Sequence, residues 1–117
     1  HMVDKDFVAI DYAHRNAAAN GCSNARVYLS NGFSHVPAEQ RFDLVVSNIP
    51  AKVGGQLLQY WMTETHRRLQ PGGMLWVVTV AGLKDYVKRV FRETFGNHRK
   101  VKQSGTHVVA MAIRDQE

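Results

Sequence analysis

The segment spanning residues 42–51 constrains the fold more than any other part of the chain. Four of its first five residues are apolar, a pattern typical of a strand buried on both faces of a parallel sheet covered by helices. Pro50 lacks a backbone N–H and pushes Ile49 toward an extended conformation, so we expect the strand to end there. The Asn48 carboxamide then lies at the carboxyl end of a strand, where open α/β sheets bind ligands. For so short a segment, an ordinary junction between strand and loop is the alternative.

Length and composition indicate one globular domain. The chain has 117 residues, of which 44% are hydrophobic, and it contains no apolar run long enough to cross a membrane. The leading His1-Met2 is typical of a tag remnant, which leaves residues 3–117 as the expected domain. The sequence shows no signal peptide, and its single cysteine, Cys22, excludes an internal disulfide framework, so we expect a cytoplasmic protein.

Positive charge is concentrated in the last third of the chain. The formal net charge is +5 and the pI is about 9.7, values that suit a polyanionic partner. The charges are those of Lys84, Lys88, Arg89, Arg92, Arg99, Lys100 and Lys102. Such a cluster is either a solvated helix face or a surface that contacts nucleic acid.

The first third of the chain predicts one helix and one strand. Asp6 is expected to cap a helix that ends near Asn20, where Gly21 supplies a left-handed residue. Residues 25–30 alternate in polarity and predict a strand, and Asn31-Gly32 is a turn signal directly after it.

The rest of the chain predicts helices and strands in alternation, ending in a hairpin. A helix over residues 56–69 should direct Leu57, Leu58, Trp61, Met62, Thr65 and Leu69 inward. Pro71-Gly72-Gly73 should separate it from a strand over residues 74–80. A helix over residues 83–95 follows, and residues 99–103 and 106–114 predict an antiparallel hairpin. This order implies an α/β sheet, mostly parallel with an antiparallel edge.

Four segments place distinctive residues at strand ends: Val3-Asp4 with residues 15–21, Ser30-Asn31-Gly32-Phe33, residues 42–50, and Arg68-Leu69-Gln70-Pro71-Gly72-Gly73. Together they resemble the class I S-adenosylmethionine-dependent methyltransferases, and within them the small-domain branch that includes rRNA guanine-N2 methyltransferases. The resemblance extends from Val3 to Arg114. It implies a Rossmann-like methyltransferase sheet and S-adenosylmethionine as the cofactor.

The resemblance assigns cofactor-binding roles to polar residues after the first two strands. Asp4 would accept hydrogen bonds from the ribose hydroxyls, as acidic residues do in dinucleotide folds. Capping of the following helix is the alternative role for this carboxylate. Lys5, Asn31 and Gly32 would flank the adenine, although Asn31-Gly32 is also compatible with a plain turn. Asn48 is expected to contact the cofactor as well.

Asn48-Ile49-Pro50-Ala51 corresponds to the family's Asn-Pro-Pro-aromatic tetrapeptide. In the family, the side-chain amide oxygen and a following backbone carbonyl orient a planar target amine toward the methyl group, which is catalysis by orientation. The resemblance therefore makes Asn48 and Pro50 the catalytic candidates. The tetrapeptide departs from the family at two positions, because Ile49 replaces the first proline and Ala51 replaces the aromatic residue on which a base stacks. Phe33 or another aromatic residue would have to supply the stack.

A further departure concerns the family's first strand and its glycine-rich loop, which would precede Val3 and are absent from the sequence. Without the strand, a sheet of this kind has two unpaired inner edges, which proteins avoid. We therefore expect either a fragment of a longer enzyme or a gap filled by rearrangement or by another chain. A partner could fill it through strand exchange or homo-oligomerisation.

Three functions are compatible with these residues. The first is an S-adenosylmethionine-dependent N-methyltransferase acting on an exocyclic amine of an rRNA base, of the guanine N2 type. The second is a non-catalytic methyltransferase-like module that binds RNA or self-associates. The third is a nicotinamide-dinucleotide protein, which Asp4 permits but the Asn-x-Pro strand end disfavours. The histidines are scattered, without a cysteine or carboxylate at ligand spacing, so no metal site is expected.

Overall fold

The computed structural model describes residues 1–52 and 54–115 and divides into two compact units, His1–Ala38 and Glu39–Glu117. No helix in the described part of the chain combines the length and the apolar character needed to cross a membrane. A single domain over residues 3–117 remains a prediction.

The first unit is built on a short parallel strand pair. It contains β1 (Met2–Asp4), α1 (Phe7–Ala19) and β2 (Val27–Leu29), with Asp4 opposite Leu29. Strand β2 is shorter than the predicted strand over residues 25–30. Met2, which the sequence assigned to a tag remnant, pairs with Val27 and therefore forms part of β1.

Both predicted ends of α1 are confirmed. Asp6 accepts a hydrogen bond from the backbone N–H of Val8 at 2.9 Å, which satisfies one of the free donors at the helix start. At the other end Gly21 has a φ of 66°, a left-handed conformation in which glycine has no steric cost.

The second unit contains a mixed four-stranded sheet. Its strands are β3 (Phe42–Asn48), β4 (Leu69–Val80), β5 (Arg99–Gln103) and β6 (His107–Ile113), in the spatial order β3-β4-β6-β5. Strands β3 and β4 are parallel, whereas β6 is antiparallel to both of its neighbours. The predicted α/β fold with an antiparallel carboxyl-terminal hairpin is confirmed. The sheets are not mostly parallel as predicted, because β1–β2 and β3–β4 are parallel whereas β4–β6 and β5–β6 are antiparallel.

Two helices pack their apolar sides against this sheet. They are α2 (Gly55–Arg68) and α3 (Lys84–Phe95), and a single 3-10 turn, Ala81–Leu83, precedes α3. The core contains Leu58, Met62, Leu75, Val77, Val87, Val90, Phe91, Phe95, Val108, Ala110 and Ala112. Leu57 was predicted to face inward, but it is 60% exposed because each helical residue is rotated about 100° from the next, and Leu58 takes the inward direction.

One face of β3 is open, which contradicts the prediction that this strand is buried on both faces. Val45 packs against the core, whereas Leu44 and Val46 are 51% and 69% exposed. Successive residues of a strand point to opposite faces, so these two side chains share the face opposite Val45. Among the described residues β3 pairs with β4 alone and β1 with β2 alone. The expected lack of the family's first strand stays a prediction.

The Pro-Gly-Gly segment was predicted to separate α2 from the next strand. In the structure it lies within β4. Helix α2 ends at Arg68, β4 begins at Leu69, and the ladder with β3 shifts register between Phe42 and Leu44. A Cβ atom on Gly73 would lie 2.9 Å from the carbonyl oxygen of Gln70, closer than real contacts allow. Position 73 therefore requires glycine, because its backbone lies against the carbonyl groups of Gln70 and Asp43.

Candidate functional site

The strand end carrying Asn48 is confirmed, and the residue that follows it is buried. Strand β3 ends at Asn48, and the next residue, Ile49, donates its backbone N–H to the carbonyl oxygen of Val78 at 2.9 Å. The Ile49 side chain is 4% exposed and belongs to the core. Its burial anchors the backbone between Asn48, the last residue of β3, and Pro50, and both of these neighbours are exposed.

The Asn48 side chain is available to an external partner. Within residues 1–52 and 54–115, its carboxamide forms no hydrogen bond. A carboxamide presents two acceptor lone pairs on its oxygen and two N–H donors on its nitrogen. Asn48 can therefore accept a hydrogen bond from a planar amine without first breaking a bond within its own unit.

An apolar depression borders Asn48 on the open side of the sheet. Its lining residues are Val46, Ser47, Asn48, Trp76, Val77, Val78 and Val109. Trp76 is opposite Val46 in the β3–β4 register. The sequence did not predict this aromatic residue beside the tetrapeptide, because the pairing of two parallel strands cannot be read from either strand alone. Trp76 alternates with the core residues Leu75 and Val77, and this alternation could have indicated that Trp76 lies on the opposite face of the sheet.

In the first unit, Asp4 and Asn31 lie at the same edge of the parallel pair. Asp4 ends β1, and its carbonyl oxygen accepts the backbone N–H of Ser30 at 3.0 Å, which continues the ladder to the residue before Asn31. The Asp4 Oδ1 atom accepts the N–H of Asp6 at 2.8 Å, while Asp6 itself caps α1. Asp4 thus orders the turn before the helix and remains exposed.

Ser30 fixes the turn that carries Asn31, and the sequence did not predict this role. Its side chain is buried, donates to the Gly32 carbonyl at 2.7 Å and accepts the His35 N–H at 3.0 Å. Gly32 has a φ of 59°, which explains the glycine at this position. The position of this serine directly before an Asn-Gly turn could have indicated it, because serine hydroxyls often bond to backbone groups in turns.

The polar groups of the first unit fit the nucleoside part of S-adenosylmethionine. A carboxylate accepts through two oxygens, and only Oδ1 of Asp4 is engaged by the described residues. The exposed Asn31 carboxamide makes no hydrogen bond within the described chain, and Lys5 is also exposed. The structure therefore brings Asp4, Lys5, Asn31 and Gly32 together in one unit and places Asn48 and Pro50 in the other.

Metal-ligating side chains do not cluster in the described residues. No group of three or more His, Cys, Asp or Glu side chains there is arranged to hold a metal ion.

Comparison with known proteins identifies relatives over almost the whole chain. The family model described as "Methyltransferase small domain" matches residues 1–111. Ribosomal RNA small subunit methyltransferase C of Escherichia coli is 34% identical over 116 residues, covering 96% of this chain and 32% of the relative. Ribosomal RNA large subunit methyltransferase G of Shewanella amazonensis is 28% identical over 120 residues, covering 97% and 31%.

Solved structures show the same fold. A T. thermophilus 16S rRNA N2 methyltransferase in complex with AdoMet and guanosine has a TM-score of 0.78 at 25% identity, covering 96% of this chain and 30% of that one. A methyltransferase from Pyrococcus furiosus has a TM-score of 0.71 at 23% identity, covering 97% and 61%. The chain spans about a third of the length of the two ribosomal RNA methyltransferases named above, from Escherichia coli and Shewanella amazonensis.

Proposed function

The chain belongs to the methyltransferase small domain family, and from this premise we propose that the full-length protein methylates an exocyclic amine of an rRNA base. We propose a guanine N2-type amine as the target and the cytoplasm as the place of action. The observation that carries the proposal is the exposed Asn48 carboxamide at the end of β3, which has no hydrogen-bond partner among the described residues.

Asn48 and Pro50 would orient the target amine. The Asn48 oxygen accepts one amine N–H, and a backbone carbonyl beside Pro50 accepts the other, which aims the nitrogen lone pair away from both acceptors. Holding the reacting groups in a near-attack arrangement would lower the barrier. The nitrogen–methyl bond would form as the sulfur–methyl bond breaks, and the proton that the amine loses would leave to water. The buried Ile49 supports this role because it fixes the backbone between the two residues.

S-adenosylmethionine supplies a methyl group activated by a sulfonium centre when it is bound. Asp4 would accept hydrogen bonds from the ribose hydroxyls through its unengaged oxygen. Lys5, Asn31 and Gly32 would border the adenine, where the Ser30 hydrogen bonds hold the turn in a fixed conformation.

The rRNA substrate is supported by the relatives and by charge. Two curated relatives are named as ribosomal RNA methyltransferases, and the related solved structure contains guanosine. The net charge of +5 favours a polyanionic substrate. Trp76 lines the depression next to Asn48 and is a candidate for the aromatic contact that Ala51 cannot make.

A second candidate function is a non-catalytic module that self-associates. The exposed Leu44 and Val46 on the open face of β3 favour it, since exposed apolar strands are prone to pair with another chain. Size-exclusion chromatography with light scattering separates the two functions. A monomer that binds the cofactor supports the enzyme, whereas a stable oligomer that binds no cofactor supports the module.

The proposal is tested with the full-length protein. Isothermal titration should show S-adenosylmethionine binding, and mass spectrometry of nucleosides from treated rRNA should show a methylated guanine. The absence of binding at millimolar cofactor would overturn the proposal.

A further inference from the structure

The net positive charge of the chain comes from one segment. Residues 84–103 contain seven lysines and arginines and two acidic residues, a net charge of +5. The other 97 residues contain eight basic and eight acidic residues and are neutral overall. The formal charge of the whole chain therefore comes from α3, the loop after it and β5.

Three of these cations form a straight row along α3. Lys84, Lys88 and Arg92 follow one another at four-residue intervals, which places them on one side of the helix about 6 Å apart along its axis. In the described residues none of the three has a salt bridge, whereas the neighbouring Arg89 lies 3.9 Å from Glu93. Like charges at this spacing destabilise a helix slightly, so the row is unfavourable for the isolated fold.

The row continues onto the sheet through His98 and Lys100. His98 packs against Phe91, with ring centroids 5.7 Å apart. Burial, together with the charges of Lys88 and Arg92, holds the pKa of His98 below its ordinary value, which reflects the closeness of both cations. Lys100 is opposite Ala110 in the β5–β6 register. Because Ala110 belongs to the core beneath α3, Lys100 lies on the same face of the sheet as that helix.

We propose that Lys84, Lys88, Arg92 and Lys100 form a surface that binds the phosphodiester backbone of RNA. Lys100 donates to the uncharged Gln103 Oε1 atom at 3.1 Å, and none of the four cations has a salt bridge among the described residues. A linear row of cations that are not neutralised matches a linear polyanion better than a single small anion. The surface consists of side chains from α3 and β5 and contains neither Asn48 nor Asp4. The inference rests on the proposed function for its choice of RNA, and it assigns the contacts that hold substrate outside the methyl-transfer residues.

The test is the salt dependence of RNA binding by the full-length protein. Fluorescence anisotropy with a labelled single-stranded rRNA fragment is measured for the wild type and for the double variant Lys88→Gln/Arg92→Gln. Each lost phosphate contact reduces the slope of log affinity against log salt by about 0.7, so two reduce it by about 1.4. When the salt is lowered from about 1 M to about 0.1 M, the affinity of the variant for RNA should therefore rise about 25-fold less than that of the wild type.

The matched control removes the same charge elsewhere. Arg15→Gln/Arg26→Gln lies in the first unit and should leave both slope and affinity unchanged. S-adenosylmethionine titration of each variant reports separately on the proposed function. Equal slopes for Lys88→Gln/Arg92→Gln and the wild type would overturn the RNA surface, even if the cofactor binds. Loss of polyglutamate binding in the variant, with RNA binding retained, would instead assign the surface to an acidic protein.

Discussion

The carboxamide of Asn97 pairs with both backbone groups of Ile113. Its nitrogen donates to the Ile113 carbonyl at 2.7 Å, and its oxygen accepts the Ile113 N–H at 2.9 Å. The side chain thus continues the ladder at the end of β6, beyond the last pair with β5, and ties the end of α3 to the sheet.

Asn97→Ala should therefore lower the free energy of unfolding by about 1–2 kcal/mol, because it removes both bonds to Ile113 together with a 3.2 Å bond to the Phe95 carbonyl. Urea denaturation measures this difference. Gln56→Ala, at an exposed position of α2, is the control and should be close to neutral. A midpoint for Asn97→Ala equal to that of the control would show that the pairing contributes nothing.

Gly73→Ala should destabilise the fold by about 1–3 kcal/mol, because the new Cβ atom would meet backbone that cannot rotate away. The obstructing atoms are the carbonyl oxygens of Gln70 and Asp43, at 2.9 and 3.1 Å. Gly82 has no atom within 4 Å of the same added carbon, so Gly82→Ala should be neutral or stabilise by about 0.4–1 kcal/mol. Thermal unfolding of the two variants compares them directly. Similar losses in both would contradict the packing described at Gly73.

Thr79→Val should stabilise the fold by about 1 kcal/mol, since it removes a buried hydroxyl that has no hydrogen-bond partner among the described residues. Thr65 is the matched control. It is equally buried, but its hydroxyl donates to the Trp61 carbonyl at 2.8 Å. Thr65→Val should consequently gain nothing, and chemical denaturation of both variants distinguishes the two cases. Destabilisation by Thr79→Val would mean that its hydroxyl is satisfied in solution.

Stability should fall as the pH is lowered below about 6.5, because His66 binds protons more weakly in the folded chain than in the unfolded one. Burial, and then the charge of Arg114, lower the pKa of His66 from its ordinary value of 6.5. The unfolded state therefore takes up protons first, and His98 shifts in the same direction. Glu64 contributes separately, below 4.5, because its hydrogen bond with Arg67 lowers its pKa.

Urea midpoints at about pH 7.5 and about pH 5.5 measure this histidine contribution. His66→Gln should reduce the difference between the two midpoints and leave the part due to His98. An unchanged difference in His66→Gln would exclude His66 as its source.

The sequence predicted local features well where one residue type determines the backbone. Asp6 and Gly21 mark the start and the end of α1 as expected, because few residue types can cap free N–H groups or adopt a left-handed backbone. The hairpin of β5 and β6 was also predicted, and the structure pairs these strands around the Ser104-Gly105 turn.

What the sequence missed depends on partners distant in the chain. The run of apolar residues in β3 suggested burial on both faces, yet Leu44 and Val46 are exposed, since apolarity does not reveal which face a neighbour covers. Trp76 beside Val46 and the Gly73 contact with Asp43 both follow from the β3–β4 register, which no local pattern contains. At the candidate site, Asn48 was predicted from its position before Ile49-Pro50, whereas Ser30 was overlooked.

The central claim is that Asn48 orients the target amine, and that its expected contact with the cofactor contributes little to cofactor affinity. Methyl transfer from labelled S-adenosylmethionine to rRNA and calorimetric cofactor binding are measured for the full-length wild type, for Asn48→Ala and for the exposed control Gln59→Ala. We predict that Asn48→Ala lowers turnover by about 100-fold or more, while cofactor affinity stays within about twofold of the wild type. Equal loss of turnover and cofactor affinity, or turnover matching that of the control, would contradict the role assigned to Asn48.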